Sequence, residues 1–362
     1  MKLVYLAGST LPSTGADAVH VMNMCKAFAG IGVDVTLIAR KGKDNINIYD
    51  YYGIEPNLFK IVLVNRPDIK ILGGFIYGQN LATAYKKLPK PDIIYARSIH
   101  GLEQINKKNT SFFFESHWLP TNKLYHYWQK KWLNHFKLIS FILISDGLKK
   151  LYSKLFPDSI NKFHILHDAC NIPEIRNIEK KNNRLQVGYV GSFFKGNGYE
   201  ILPELAKLML EVDFHIIGGK EPLLTKLINQ YKSLNNIKFH GHIPHGQLID
   251  LYYQMDIMLA PYQKNLPHLQ WVSPMKLFEY MSFSKPIIAS DFPVLREVLD
   301  ENNSILVKAD NIDAWKKAVN KLKDKELRKN LGKNAYDTFL KNYTWKKRAE
   351  EVIKLYLQKQ QS

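Results

Sequence analysis

The sequence is short of cysteine, of acidic side chains and of long apolar runs, and each shortage excludes something. Cys25 and Cys170 are its only cysteines in 362 residues. That is too few for a secreted disulfide framework, and two buried reduced thiols are expected. The longest apolar run, Leu138–Ile144, is interrupted by Ser140 and falls far short of the ~20 residues that span a bilayer. The apolar opening Leu3–Ala7 is shorter than the roughly 7–15 residues of a signal-peptide core. Together these predict a cytoplasmic protein, at most held peripherally on the inner face of the cell membrane. No Asp-x-Asp triplet occurs, and the histidines are scattered without the spacing of a zinc site. No metal and no cofactor are therefore expected.

What the chain does have is positive charge. Its 51 Lys+Arg against 33 Asp+Glu give a formal charge of +18. The excess runs through both halves and forms no basic tail. A diffuse excess attracts phosphate ligands, anionic lipid or nucleic acid, and a lysine-rich background looks the same. No helix-turn-helix, zinc or RNA-binding signature accompanies it, so nucleic acid is not expected as a partner.

Short apolar runs alternate with helical patterns. Leu3–Ala7, Val33–Ala39, Ile61–Val64, Ile93–Ala96, Phe112–Phe114 and Phe141–Ser145 read as strands, with a helix over about 17–30 after the first. This is βαβ alternation around a parallel sheet covered on both faces. The polar stretch Pro173–Arg184 breaks the pattern as a linker would. The alternation then restarts at Val187–Val190, Phe214–Ile217, Ile237–Phe239, Ile257–Ala260, Ile287–Ala289 and Ile305–Val307, with helices such as Pro203–Glu211 and Ser273–Ser282 between. The expected organisation is a first domain over 1–172, a linker over 173–184 and a second domain over 185–344. The amphipathic C-terminal helix within 345–362 is expected to pack on a domain, the first being the candidate.

In open α/β sheets ligands bind outside the carboxyl ends of the strands. The first such end leads through Gly8 to the Gly15-Ala16 turn and a helix start, where backbone N–H groups can meet a phosphate. The corresponding end in the second half reads VGYVGSFFKG, with Gly191, Ser192, Lys195 and Gly196. It matches neither a P-loop nor the dinucleotide fingerprint. Its glycines let a backbone approach a ligand, and Lys195 adds a mobile cation. The run HLQWVSPMKLFEYM over 268–281 places Ser273 as N-cap and Pro274 at the first helical position. The resulting helix end suits a diphosphate, and Glu279, a turn and a half in, can accept two hydrogen bonds from a vicinal diol such as a ribose. In the first half, KLYHYWQKKWLNHFK over 123–137 has helical spacing of aromatics with a basic flank. Trp128, Lys130, Lys131 and Trp132 are the candidates for lying in a membrane interface, the competing reading being a core-facing stripe. Arg97, just after the strand Ile93–Ala96, is a candidate acceptor contact.

SPMKLFEYMSFSKPIIASD resembles the most typical stretch of the family 4 GT-B glycosyltransferases, which are retaining nucleotide-sugar transferases. The Gly15 loop, Lys195-Gly196, the run Phe239–Ile243, Leu251-Tyr252, Asp256–Pro261 and Phe114–His117 follow in the family's order. The resemblance implies two Rossmann-like parallel-sheet domains facing each other across a cleft. It implies transfer of a sugar from a UDP- or GDP-sugar to a glycan or lipid-linked acceptor, without metal, as in the synthesis of bacterial surface polysaccharide, capsule or lipopolysaccharide. It also implies roles. Glu279 would bind the ribose, and Ser273, Pro274, Met275 and Lys276 would line the diphosphate with helix N–H groups. Lys195 would neutralise the leaving diphosphate, while Gly15 and Ala16 would cap it from the other domain. His117 would touch the donor sugar, and His242 and Ile243 would lie near the base. Two positions depart from the pattern. Trp271 stands where the family often has a first glutamate, and Ser192 stands where it often has an arginine. They keep two alternatives in view: a non-catalytic protein of the same fold, and a nucleotide-sugar epimerase.

Overall fold

The computed structural model describes every residue except 44–45, 71, 106–109, 177–182, 244 and 362. Half of the expected linker, 177–182, thus lies outside the described residues. The chain divides into two compact units: Met1–His167 with Trp345–Ser362, and Asp168–Thr344.

The first unit is built on a parallel sheet of seven described strands: β1 (Lys2–Leu11), β2 (Asp34–Lys41), β3 (Lys60–Val64), β4 (Ile93–Ala96), β5 (Ser111–Ser116), β6 (Leu138–Leu143) and β7 (Phe163–Ile165). They lie in the order β3-β2-β1-β4-β5-β6-β7. The second unit holds six: β8 (Leu185–Val190), β9 (Val212–Ile217), β10 (Ile237–Gly241), β11 (Ile257–Ala260), β12 (Ile287–Ser290) and β13 (Ser304–Val307), in the order β10-β9-β8-β11-β12-β13. Each sheet reverses its winding once, beside β1 and β4 in the first and beside β8 and β11 in the second. At such a switch point the loops leaving neighbouring strands diverge and open a crevice.

The residues explain the layers. All four residues of β4, β11 and β12 are buried, as helices on both faces require. Asn122, Ser145, Asn311 and Asp324 accept backbone N–H groups and start helices Lys123–Leu133, Asp146–Leu155, Ile312–Lys321 and Lys325–Asn342. The C-terminal helix Trp345–Gln361 buries Trp345, Arg348, Ala349 and Val352 within the first unit. Among the described residues no helix is long and apolar enough to cross a membrane.

Several expected bounds shift. β1 runs past Ala7 to Leu11, because Thr10 and Leu11 pair with Arg40 and Lys41 after a bulge. The strand expected to reach Ser145 ends at Leu143, since Ser145 caps the next helix. The helix expected over 203–211 occupies Ile201–Leu208. β7 has no counterpart in the sequence reading, as three residues give no measurable period.

Candidate functional site

The second unit gathers its candidate residues at the carboxyl ends of its central strands. After β8 the chain passes Gly191 and Ser192 to an exposed Lys195. The loop is held tightly. Tyr189 donates to the Ser192 carbonyl at 2.9 Å, and Asn197 Nδ2 donates to the Ser192 hydroxyl at 2.8 Å. Gly198, at φ +78°, lies so close to the chain after β11 that a Cβ there would fall 1.6 Å from the Pro261 carbonyl oxygen. Only glycine fits that conformation and that approach. Gly191 and Gly196 stand out in the sequence, whereas Gly198 has no motif to mark it.

Helix Met275–Ser282 begins beside this loop, and its cap differs from the expectation. Pro274 occupies the N-cap position and no side chain caps the helix. The Ser273 hydroxyl instead accepts the Asp168 backbone N–H at 3.0 Å, so it tethers the start of the unit rather than capping the helix. Leu277 and Phe278 are fully buried in the core. One turn on, Glu279 is half-buried, and its Oε2 accepts the Tyr252 hydroxyl at 2.6 Å. Tyr252, itself buried, therefore fixes the carboxylate. A tyrosine six residues beyond Gly246 carries no sequence signal for that role.

The side chain of Lys276 turns inward. Its Nζ is enclosed, 4.4 Å from the Tyr189 ring centroid and 4.3 Å from that of Tyr262. Among the described residues it has no hydrogen-bond partner. Burial pushes its pKa down to about 7, against a smaller opposing pull from Glu279. His242 is exposed and Ile243 half-buried, both directly after β10.

In the first unit, Gly15 caps helix Ala16–Gly30 through its backbone. Its carbonyl accepts the Ala18 and Val19 N–H groups, and its own N–H donates to the Ser13 hydroxyl. His117 sits just beyond β5 and is drawn to a carboxylate absent from the expected set. Glu115, on an interior strand and 2 % exposed, accepts His117 Nε2–H at 2.6 Å. It also pairs with His20 Nε2 at 3.0 Å and with Arg348 Nη1 at 3.0 Å, and Tyr95 donates to it. Burial alone would raise the Glu115 pKa. Arg348, then His20 and the hydrogen bonds from both histidines, hold it well below the usual carboxylate range. Arg97, the acceptor candidate, is mostly buried with Nε 3.5 Å from the same carboxylate. Glu115 thus gathers two histidines and two arginines around one charge. A lone glutamate directly after the aromatic run Phe112–Phe114 is the signal that could have found it, since an interior strand tolerates a carboxylate only with partners.

The membrane candidates divide. Trp128 and Trp132 are 5 % and 0 % exposed, so they face the core and not an interface. Trp132 Nε1 donates to Glu103 at 2.9 Å. Lys130 and Lys131 are exposed, and Lys131 pairs with Glu103 at 2.5 Å. The exposed large apolar side chains of this segment are Leu124, Tyr127 and Phe136.

Residues 171–338 match the family model of glycosyl transferases group 1. Over its length the chain is 24% identical to an uncharacterized glycosyltransferase of Methanocaldococcus jannaschii, covering 98% of each. The fold is that of HepE from Anabaena, solved in complex with UDP (TM-score 0.76, 14% identity, 99% of this chain and 100% of that one). It is also that of the lipopolysaccharide outer core galactosyltransferase WaaB (TM-score 0.66, 15% identity, 99% and 100%).

Proposed function

We propose, for a chain that carries a glycosyl transferases group 1 domain over residues 171–338 in a GT-B fold, that it transfers a sugar from a nucleoside-diphosphate sugar to a glycan or lipid-linked acceptor. The observation that carries this reading is the arrangement after β8 and at helix Met275–Ser282. A half-buried carboxylate oriented by Tyr252, an exposed lysine and a helix N-terminus share one end of the sheet. A ribose diol would bind Glu279 through two charge-assisted hydrogen bonds. The diphosphate would meet the backbone N–H groups of Ser273–Lys276 and the Lys195 ammonium. HepE's structure with UDP supports a nucleoside-diphosphate leaving group. WaaB's role on lipopolysaccharide supports a surface-glycan acceptor.

The chemistry asks for charge stabilisation rather than an acid–base pair. Breaking the sugar–phosphate bond places negative charge on the leaving oxygen, and preorganised N–H dipoles with Lys195 stabilise it without reorganisation. The anomeric carbon becomes oxocarbenium-like, and the acceptor attacks from the leaving group's face, so configuration is retained. The acceptor proton passes to the leaving phosphate oxygen. His117 is proposed to contact the donor sugar, with Glu115 holding its Nε2–H and so fixing its tautomer. No step is assigned to a metal.

The test is thermal stabilisation by UDP, GDP, ADP and CMP. A ligand at 100 times its Kd adds about 2.7 kcal/mol. One nucleoside diphosphate is expected to stabilise the wild type. Glu279→Ala is expected to lose about 1.5–3 kcal/mol of binding, the worth of hydrogen bonds to a charged group. Stabilisation of both proteins alike would refute the assignment of Glu279.

A further inference from the structure

Lys276 is the one buried ammonium that the second unit leaves without a hydrogen bond among its described residues. An isolated buried cation is costly, and a lysine that only filled space between two rings could be a methionine. Its position is informative. A Cβ built on Gly191 would lie 3.3 Å from Lys276 Nζ, so the ammonium sits directly beneath the backbone of the loop after β8. That loop carries Ser192 where a second cation is expected. The hydroxyls of Tyr189 and Tyr280 are committed to the same loop's backbone, at Ser192 and Val190.

We infer that Lys276 is the second cation of the diphosphate pocket, acting through the glycine backbone of Gly191 on the phosphate charge that seats above it. The inference rests on the nucleotide-sugar reading of this site. Gly191 is what makes it possible, because any side chain there would strike the Tyr189 hydroxyl at 2.6 Å and crowd the ammonium. The rings of Tyr189 from β8 and Tyr262 after β11 enclose the ammonium, and Glu279 acts on it from its own helix. Burial raises both phenols above their ordinary range. They stay neutral at working pH, so Glu279 supplies the charge that acts on Lys276.

A proton-linked signature follows. Burial lowers the Lys276 pKa to about 7, so its ammonium titrates around neutral pH. A phosphate dianion close by favours the charged form, and opposite charges at such range shift a pKa by 1–3 units. A rise of about 2 units makes binding take up about 0.8 of a proton at pH 8, and weakens affinity about 25-fold between pH 7 and pH 9. The nucleotide's own last ionisation is complete below that window, with a phosphate pKa near 6.

The experiment is calorimetric titration of UDP and GDP into the full chain at pH 7, 8 and 9, in buffers of different ionisation enthalpy. The wild type is expected to take up close to one proton at pH 8, and Lys276→Met to bind about tenfold or more weakly at pH 7 with a flat pH profile. Wild-type binding without proton uptake and without pH dependence overturns the role of Lys276 while the nucleotide reading stands. Failure of the wild type to bind either nucleotide overturns both. The wild-type proton count needs no variant, so a poorly folding Lys276→Met leaves the test intact.

Discussion

Arg348 and Glu115 offer the sharpest stability experiment. Both are almost fully buried, with Nη1 and Oε2 3.0 Å apart. At an effective dielectric of about 20, a unit pair at that distance attracts by roughly 5.5 kcal/mol. Breaking a buried pair by removing one partner costs about 3–5 kcal/mol, because a charge stays behind uncompensated. Arg348→Met keeps the aliphatic stem but also removes donors to the Leu166 and His167 carbonyls, so its cost should reach the upper end of that range. Glu115→Leu alone strands Arg348 instead. Together the two substitutions remove both charges, and the double variant should cost at least about 2 kcal/mol less than the sum of the singles. Urea unfolding followed by tryptophan fluorescence measures this, with hydrogen exchange over Trp345–Gln361 reporting release of the C-terminal helix. A cost below about 1 kcal/mol for Arg348→Met, or simple additivity, would refute the argument. The pH dependence has a definite sign. The folded Glu115 pKa is depressed, so its contribution is fully present above the unfolded value near 4.5 and is lost as pH falls through the folded one. Glu115→Gln should therefore flatten the acid limb of the stability profile.

Three further outcomes follow from the geometry. Tyr252→Phe, which leaves Glu279 with a hydrogen bond fewer and a freer rotamer, should weaken nucleoside-diphosphate binding several-fold by calorimetry without changing which base is preferred; unchanged Kd would contradict the positioning role. Gly198→Ala should destabilise the second unit by more than the roughly 1–3 kcal/mol of left-handed strain alone, because its methyl group collides with the Pro261 carbonyl; an unshifted urea midpoint would contradict this. Trp132→Ala should cost about 3–5 kcal/mol as a core deletion, while Lys130→Ala should change stability by no more than about 0.5 kcal/mol; equal effects in denaturation would contradict the division of that helix into core and surface faces.

The architecture was largely legible because its signals are local. Buried parallel strands write themselves as short apolar runs, and β4 and β11 match their expected bounds to the residue. The loop after β8 and the helix after Val272 were legible for a similar reason, since glycines and a proline mark where backbone meets ligand. Contacts made by chain-distant partners were not. Nothing in the neighbourhood of Arg348 says that it closes on a strand 233 residues earlier, nor does the spacing from Tyr252 to Glu279 announce a hydrogen bond. Helical spacing gave Trp128 and Trp132 the right face of their helix but not what covers it. The Ser273-Pro274 pair satisfied the local rules for a cap, yet a long-range bond to Asp168 took the serine hydroxyl. The sequence assigns Lys276 only a backbone N–H at the helix start, and the rings of Tyr189 and Tyr262 show where its ammonium goes.

The central claim is that the chain moves a sugar from a nucleoside-diphosphate donor to an acceptor, and the most direct measurement is acceptor-dependent release of nucleoside diphosphate. UDP- and GDP-sugars would be supplied with glycan and lipid-linked acceptors, and the anomeric configuration of the product read by NMR. The account predicts release that rises with acceptor, falls at least about tenfold in Glu279→Ala, and gives a product of retained configuration. Tight nucleotide binding with no turnover on any acceptor would contradict it, and would make Trp271, standing in place of a carboxylate, the mark of a protein that kept the site and lost the reaction.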